Sequence, residues 1–277
     1  MEINEQLRQE LFAIAYKMTG QVSLSQDICQ DVFQKILGSK VDFNQVKHHR
    51  AYVIKMAVNR SLDVLKQLQK ERYAGVWLPE PVCDNDNDYS ALDLDYGITV
   101  LLSRLNPKER AVFLLKESFD YSYAELAETL ELTAVNCRKI YQRLQPKLKK
   151  NSQTIIAERG TKERVLKAFL SAVRNGQLDG LVAMLKEDIA LYSDGGGKVA
   201  AARNVLYGIE ACFKFMWGIY SKFLQNARFE FGSVNQEPCV FIYEAEQLAT
   251  IVLIQLEDHQ ISELYFIRNP DKLEGLN

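Results

Sequence analysis

The chain is predicted to be a multidomain protein: two all-α modules followed by an α+β domain in which helices pack on a curved antiparallel sheet. Three observations carry that prediction. Apolar residues recur at helical spacing through the first 70 residues and again from Gly97 to Leu148. A stretch rich in Pro, Asp and Asn, Tyr73 to Tyr96, separates the two runs. After Ala227 the pattern changes to four consecutive segments rich in β-branched and aromatic residues. A length of 277 residues suits more than one domain, since single cores of ~100–200 residues are usual.

The first module opens with Gln6 to Met18, where Leu7, Leu11, Ile14 and Ala15 share a face and Gly20 supplies a stop. A second helix is expected after Ser25 as N-cap, with Ile28, Val32, Phe33, Ile36 and Leu37 on one side. A third, His49 to Gln69, places Val53, Met56, Ala57, Leu62 and Leu65 inward and leaves Lys55, Arg60 and Lys66 for solvent or a ligand. In the stretch that follows, Pro79 and Pro81 forbid a long helix. Trp77 and Leu78 are apolar residues a bare spacer does not need, which leaves two readings: a collapsed loop, or an anchored tether with Trp77 docked on another part of the protein.

Helices resume with Ile98 to Leu105, then Lys108 to Ser118 behind Asn106-Pro107, a cap followed by proline at the first helical position. Ser122 to Leu130 and Thr133 to Leu148 form a helix-turn-helix: Tyr123, Leu126, Ala127 and Leu130 pack the first helix, Val135, Ile140 and Leu144 the second. Thr133 caps the second helix and leaves Asn136, Arg138, Lys139 and Arg143 outward. Glu131 occupies a turn where glycine would be easiest, and Pro146 is expected to bend or end the recognition helix. Beyond Lys150, Thr161 to Asn175 and Leu178 to Lys186 are expected as amphipathic helices and Ile189 to Ser193 as a strand. Gly208 to Leu224 is expected as an aromatic helix, and Ala227–Val234, Cys239–Ala245, Leu248–Leu256 and Ile261–Asn269 as further strands.

Charge sharpens this division. Residues 1–150 hold 21 Lys+Arg against 20 Asp+Glu, and residues 151–277 hold 13 against 16. Within the first half, Lys47 to Arg72 is strongly basic, Tyr73 to Asp95 has no Lys or Arg, and Arg138 to Lys150 has no acid. Two basic segments on an acidic tether suit two anion-binding modules. The 25% charged and 47% hydrophobic composition excludes a disordered chain. Apolar runs fall far short of the ~18 residues a membrane span needs, and the charged Met1 to Glu10 is no signal peptide. Five scattered cysteines without a CxxC pair argue for a reducing compartment and against zinc, so a cytoplasmic protein is expected.

Catalytic motifs are missing. Asp194-Gly195-Gly196-Gly197-Lys198 lacks the GxxxxGK[ST] spacing of a phosphate loop, and Val199 stands where a hydroxyl belongs. A tight loop whose glycines allow close approach to another protein segment fits better. An aromatic pocket lined by Phe213, Trp217, Tyr220 and Tyr243 is conceivable, yet His48, His49 and His259 form no dyad and GxSxG and HExxH do not occur. No enzyme activity, metal or cofactor is expected.

Asp27-Ile28-Cys29-Gln30-Asp31-Val32-Phe33, the basic helix with Asn59-Arg60-Ser61-Leu62-Asp63, and the Asn106 to Arg143 helix-turn-helix resemble regions 2 and 4 of an extracytoplasmic-function (ECF) sigma factor of the sigma-70 family. Trp77-Leu78-Pro79-Glu80-Pro81, Asp194 to Lys198, and Asn269-Pro270-Asp271-Lys272-Leu273 resemble the subgroup with a fused SnoaL-like C-terminal domain of cone-shaped α+β fold. The resemblance implies region 2 at 1–72, an acidic linker at 73–96, region 4 at 97–150, a connector at 151–160 and the SnoaL-like domain at 161–277. It implies that Asp27, Gln30, Asp31 and Phe33 dock on the β′ subunit of core RNA polymerase, whose β subunit is also a partner. The loop Asp42 to Lys47 and Lys55, Asn59, Arg60 and Lys66 would melt and hold the minus-10 element. Thr133, Asn136, Arg138, Lys139 and Arg143 would read the minus-35 element of promoter DNA. Trp77, Pro79, the Asp194–Lys198 loop and the Asn269–Leu273 tail would form a contact through which the C-terminal domain tunes activity in cis. A polymerase-independent, ligand-sensing helix-turn-helix regulator remains the alternative, and whether the C-terminal cavity takes a small ligand stays open.

Overall fold

The computed structural model describes residues 5–38, 48–68, 75–84, 94–155, 159–174, 178–224 and 226–276. They fall into two compact units, a helical one from residues 5–68, 94 and 98–150, and a C-terminal one that takes in residues 75–84 and 95–97 together with the chain after 150.

In the helical unit, α1 (Glu5–Thr19), α2 (Val22–Gly38) and α3 (His49–Leu68) pack on one another. Gly20 ends α1 at φ 68°, and its N–H closes on the Tyr16 carbonyl. The helix after it starts at Val22, so Ser25 lies inside α2 and is not its N-cap. Its buried hydroxyl bonds the Gln21 carbonyl and the Thr19 hydroxyl instead. Then come α4 (Tyr96–Ser103), α5 (Pro107–Phe119), α6 (Tyr123–Leu130) and α7 (Ala134–Ile155). Asn106 and Ser122 each form a reciprocal capping box, with Glu109 and Glu125. Ile14, Met18, Ile54 and Val58 share a core with Leu102, Val112, Leu115, Leu126, Leu130 and Cys137. Arg110, buried at 3% exposure, donates to the carbonyls of Leu102, Ser103, Leu105 and Met18.

Two expectations for the helix-turn-helix are corrected. Val135 is 65% exposed, and Cys137, fully buried, takes the inward place. Pro146 does not end the helix: α7 continues through it, without the bond its missing N–H would make.

The C-terminal unit packs α8 (Arg159–Arg174), α9 (Leu178–Met184) and α10 (Ile209–Ile219, followed by a π turn to Leu224) with a six-stranded sheet. The strands are β1 (Leu185–Asp194), β2 (Leu206–Tyr207), β3 (Arg228–Val234), β4 (Glu237–Glu244), β5 (Gln247–Glu257) and β6 (Gln260–Ile267), ordered β2-β1-β6-β5-β4-β3. A short α11 (Pro270–Leu273) closes the chain. The sheet is antiparallel except where β1 pairs with β6 in parallel. Leu185 and Lys186, expected in a helix, belong to β1 because Leu185 pairs with Ile261 and is buried. The hairpins turn at Asn235-Gln236, Ala245-Glu246 and Asp258-His259, all at positive φ.

Leu166, Phe169, Met216, Val240, Ile242, Val252 and Phe266 form the core between helices and sheet. On the opposite sheet face Cys239, Ile251, Leu253, Tyr265 and Ile267 are equally buried. The linker contributes to that second layer: Leu78, Val82 and Tyr96 are buried, and the Tyr96 ring meets Tyr265 edge-on at 5.8 Å.

Candidate nucleic-acid interface and linker clasp

The recognition helix α7 follows a turn in which Glu131 adopts φ 52° and ψ 51°, a left-handed conformation that costs a non-glycine residue about 1 kcal/mol. Its first turn is capped by Thr133, whose hydroxyl accepts the Asn136 N–H at 3.1 Å. Asn136, Arg138, Lys139 and Arg143 are all exposed. Arg138 lies over the Tyr123 ring at 5.1 Å, and Arg143 pairs with Glu109. An exposed, capped helix start with three cations suits insertion of its N-terminal turns into a major groove.

On α3, Lys55 pairs with Glu128 of α6 at 2.9 Å, and Arg60 pairs with Asp31 of α2 at 2.6 Å. A residue expected to touch polymerase is thus tied to one expected to touch DNA. Asn59 is half-buried and Lys66 exposed. The Asp42 to Lys47 loop lies outside the described residues. On α2, Asp27 and Gln30 are exposed, and Phe33 is half-buried beneath Arg8 at 5.7 Å. A groove of about 490 Å³ runs between α1 and α2, lined by Arg8, Phe12, Cys29, Gln30, Phe33 and Leu37 among others. Leu37 on its rim is 80% exposed, an apolar feature suited to a partner. Burial pushes the Cys29 thiol up to about 12, so it presents no thiolate there.

The linker motif, the glycine loop and the tail are brought together inside the C-terminal unit. Asp194, fully buried at the end of β1, holds three donors. The Leu78 N–H lies 2.9 Å away, the Gly196 N–H 2.9 Å, and Lys272 Nζ 2.6 Å. Lys272 also donates to the Leu78 carbonyl and lies 4.1 Å from the Trp77 ring centre. Burial pulls its ammonium below the usual lysine range, and Asp194 opposes that pull. A Cβ on Gly196 (φ 60°) would stand 2.4 Å from the Asn269 side chain, so the loop needs glycine there. Asn269 caps α11 through the Asp271 N–H, and Lys198 pairs with Asp271 at the surface at 2.6 Å. Gly195 and Pro79 are buried, Pro270 is exposed, Gly197 is exposed at φ 75°, and Leu273 is in the core.

The anchor, however, is Leu78 and not Trp77. Leu78 is 1% exposed, and Trp77 keeps 36% of its surface in solvent under the Lys272 cation. Two further linker attachments had no signal in the sequence. Val82 exchanges bonds with Asn235, N–H to Oδ1 and carbonyl to N–H, both at 2.8 Å. Cys83 bridges to Val234, and the Gln236 N–H bonds Asp84. The aromatic pocket also differs from expectation. A cavity of about 40 Å³ is lined by Phe169, Met216, Tyr220, Phe229, Ile242, Phe266 and further apolar residues. Phe213, Trp217 and Tyr243 are not among them; Trp217 is 48% exposed because it lies on the outer side of α10. Among the described residues no cluster of His, Cys, Asp or Glu could hold a metal ion, and no helix is long and apolar enough to cross a membrane.

Comparison with known proteins matches residues 4–71 to Sigma-70 region 2 and residues 97–144 to Sigma-70 region 4. The ECF RNA polymerase sigma factor SigJ of Mycobacterium tuberculosis is 28% identical, over 99% of this chain and 94% of that protein. Its crystal structure superposes with a TM-score of 0.77 at 26% identity, covering 98% of this chain and 97% of that one. This chain is similar to extracytoplasmic-function sigma factors over nearly its whole length. The probable ECF sigma factor SigI of the same organism is 24% identical over 97% of this chain and 93% of its own length. The whole-length match to SigJ takes in the SnoaL-like α+β domain as well as both sigma regions.

Proposed function

We propose that this sigma factor docks on core RNA polymerase through the α1–α2 groove and reads its promoter with α3 and α7, while its C-terminal unit tunes initiation in cis by holding the linker. As an ECF sigma factor the chain binds core polymerase and directs promoter-specific initiation. The finer assignments are ours. Gln30 and Phe33 line the groove, and Asp27 and Asp31 flank it on α2; the β′ subunit is the surface we assign to them. Lys55, Asn59, Arg60 and Lys66 on α3 are assigned to the minus-10 strand, which requires opening of the Lys55–Glu128 and Arg60–Asp31 pairs. Thr133, Asn136, Arg138, Lys139 and Arg143 are assigned to the minus-35 duplex.

The observation that carries cis control is Asp194, a buried carboxylate whose partners are a linker amide, its own loop and a tail lysine. Breaking that cluster frees Leu78, so the linker and the C-terminal unit act as one piece. The small cavity is lined by apolar side chains, and the role we assign to the unit is a structural one, in the cytoplasm.

Run-off transcription with purified core polymerase, paired with a core-binding assay, separates these roles. Phe33→Ala is expected to weaken core binding at least tenfold. Arg138→Ala is expected to leave core binding intact and lower promoter-dependent initiation by about 1–3 kcal/mol, the worth of one base-reading contact. A chain that fails to bind core and still binds duplex DNA would favour the polymerase-independent regulator.

A further inference from the structure

The cations of the candidate nucleic-acid interface differ in what holds them. Lys55 pairs with Glu128, Arg60 with Asp31 and Arg143 with Glu109. Each gives a donor to a carboxylate that must let go before the same donor can reach DNA. Arg138 is held differently. Its guanidinium carbon lies 5.1 Å from the centre of the Tyr123 ring, which stands on the first residue of α6. A ring attracts a cation through the negative face of its π system and offers no carboxylate-like lone pairs to the N–H groups. Contact with a ring therefore steadies an arginine without engaging the five donors that pair with a guanine edge or a phosphate.

The ring is itself braced. Tyr141, three residues beyond Arg138 on α7, meets it edge-on, with centroids 6.4 Å apart at 65°. The Tyr141 hydroxyl donates to Glu117 on α5. Burial, reinforced by Glu117, pushes that hydroxyl up to about 12, so it keeps the proton it donates at neutral pH. Lys116, the neighbour of Glu117, lies 5.5 Å from the Tyr123 ring centre, and its ammonium donates to the Tyr121 carbonyl at 3.0 Å. Side chains of α5 and α7 thus converge on one half-buried ring of α6. A long side chain loses rotamer freedom when it binds, and a support that limits that freedom beforehand lowers the cost.

We propose that Tyr123 is a positioning residue for promoter reading: its ring holds Arg138 in the pose that discriminates one base pair of the minus-35 duplex. This rests on the assignment of Arg138 to that duplex, and Tyr123 acts on DNA only through it.

Holoenzyme assembled from core polymerase and the full chain, titrated with promoter duplexes in which each minus-35 base pair is replaced in turn, tests this. Arg138→Ala should flatten the preference at one base pair. Tyr123→Leu and Tyr123→Met keep an apolar side chain against Tyr141 and remove the ring. They should lower the preference at that same pair about two- to fivefold, the worth of a surface cation–π contact, and Tyr123→Phe should retain it. Preference is a ratio within one variant, so partial unfolding, which scales every duplex alike, does not move it. In the Arg138→Ala background, Tyr123→Leu should cause no further loss at that pair. Arg138→Ala without effect on any base pair would sink the assignment beneath the proposal. A pair flattened by Arg138→Ala and left intact by Tyr123→Leu and Tyr123→Met would sink the positioning role alone. Equal losses in Tyr123→Phe and Tyr123→Leu, or additive losses in the double variant, would make Tyr123 a packing residue and overturn the proposal.

Discussion

The two units differ in the depth of the ion pairs at their candidate sites. In the helical unit the ion pairs are at the surface: Arg143 with Glu109, at 59% and 17% side-chain exposure, and Lys55 with Glu128, at 35% and 79%. In the C-terminal unit the two central pairs are sealed: Lys272 with Asp194 at 7% and 0%, and Lys162 with Glu237 at 2% and 11%. Surface pairs contribute about 0–1 kcal/mol each and exchange readily for other partners. That suits cations intended for phosphates and bases. A sealed pair gives little net stability, yet leaving one member alone costs several kcal/mol. It therefore acts as an all-or-none requirement for the segment it holds, and here that segment is the linker. The helices keep these pairs accessible, and the domain that holds the tether buries its two central ones while leaving others, such as Lys198 with Asp271, at the surface.

Substitutions that remove one partner at each depth sharpen this contrast. Asp194→Ala leaves the Lys272 ammonium buried without its carboxylate and two amides without an acceptor. The C-terminal unit should lose about 3–5 kcal/mol, readable as a lowered urea midpoint in equilibrium unfolding. At the other end of the scale, Lys198→Ala removes only the exposed partner of Asp271, on the same loop and four residues away. It should change stability by no more than about 1 kcal/mol and leave the midpoint almost where it was. If the two variants were equally destabilised, depth would not be what separates these pairs.

Local signals in the sequence were legible wherever a residue's role depends on near neighbours. The capping residues Asn106 and Thr133 stand where the sequence places them, because a cap needs only the three or four residues that follow. The four late strands likewise match their β-branched runs. Ser25 shows the weakness of the same signal. A serine near a helix start reads as a cap, but Gly20 had already ended α1 and α2 began earlier. Trp77 and Leu78 show a different limit: hydrophobicity marks both as anchors, and only the Asp194–Leu78 bond turns Leu78 inward and leaves Trp77 to cover Lys272. Lys162 and Glu237 lie 75 residues apart, with nothing local to single them out. The short tail motif was easier to find, since Asn269 and Asp271 form a helix cap of their own, though its target was not. Burial on the second sheet face depends on which segment covers it, and a strand pattern alone carries no information about that cover.

We propose that the C-terminal unit acts on transcription through its hold on the linker. The direct measurement is run-off transcription from a promoter upstream of the protein's own operon, comparing the natural chain with Asp194→Ala at equal occupancy of core polymerase and at a temperature where both are folded. A change in initiation of several-fold, with core binding unaltered, is the predicted result. Identical initiation by the two chains would contradict it and leave the Asp194 cluster a feature of stability alone.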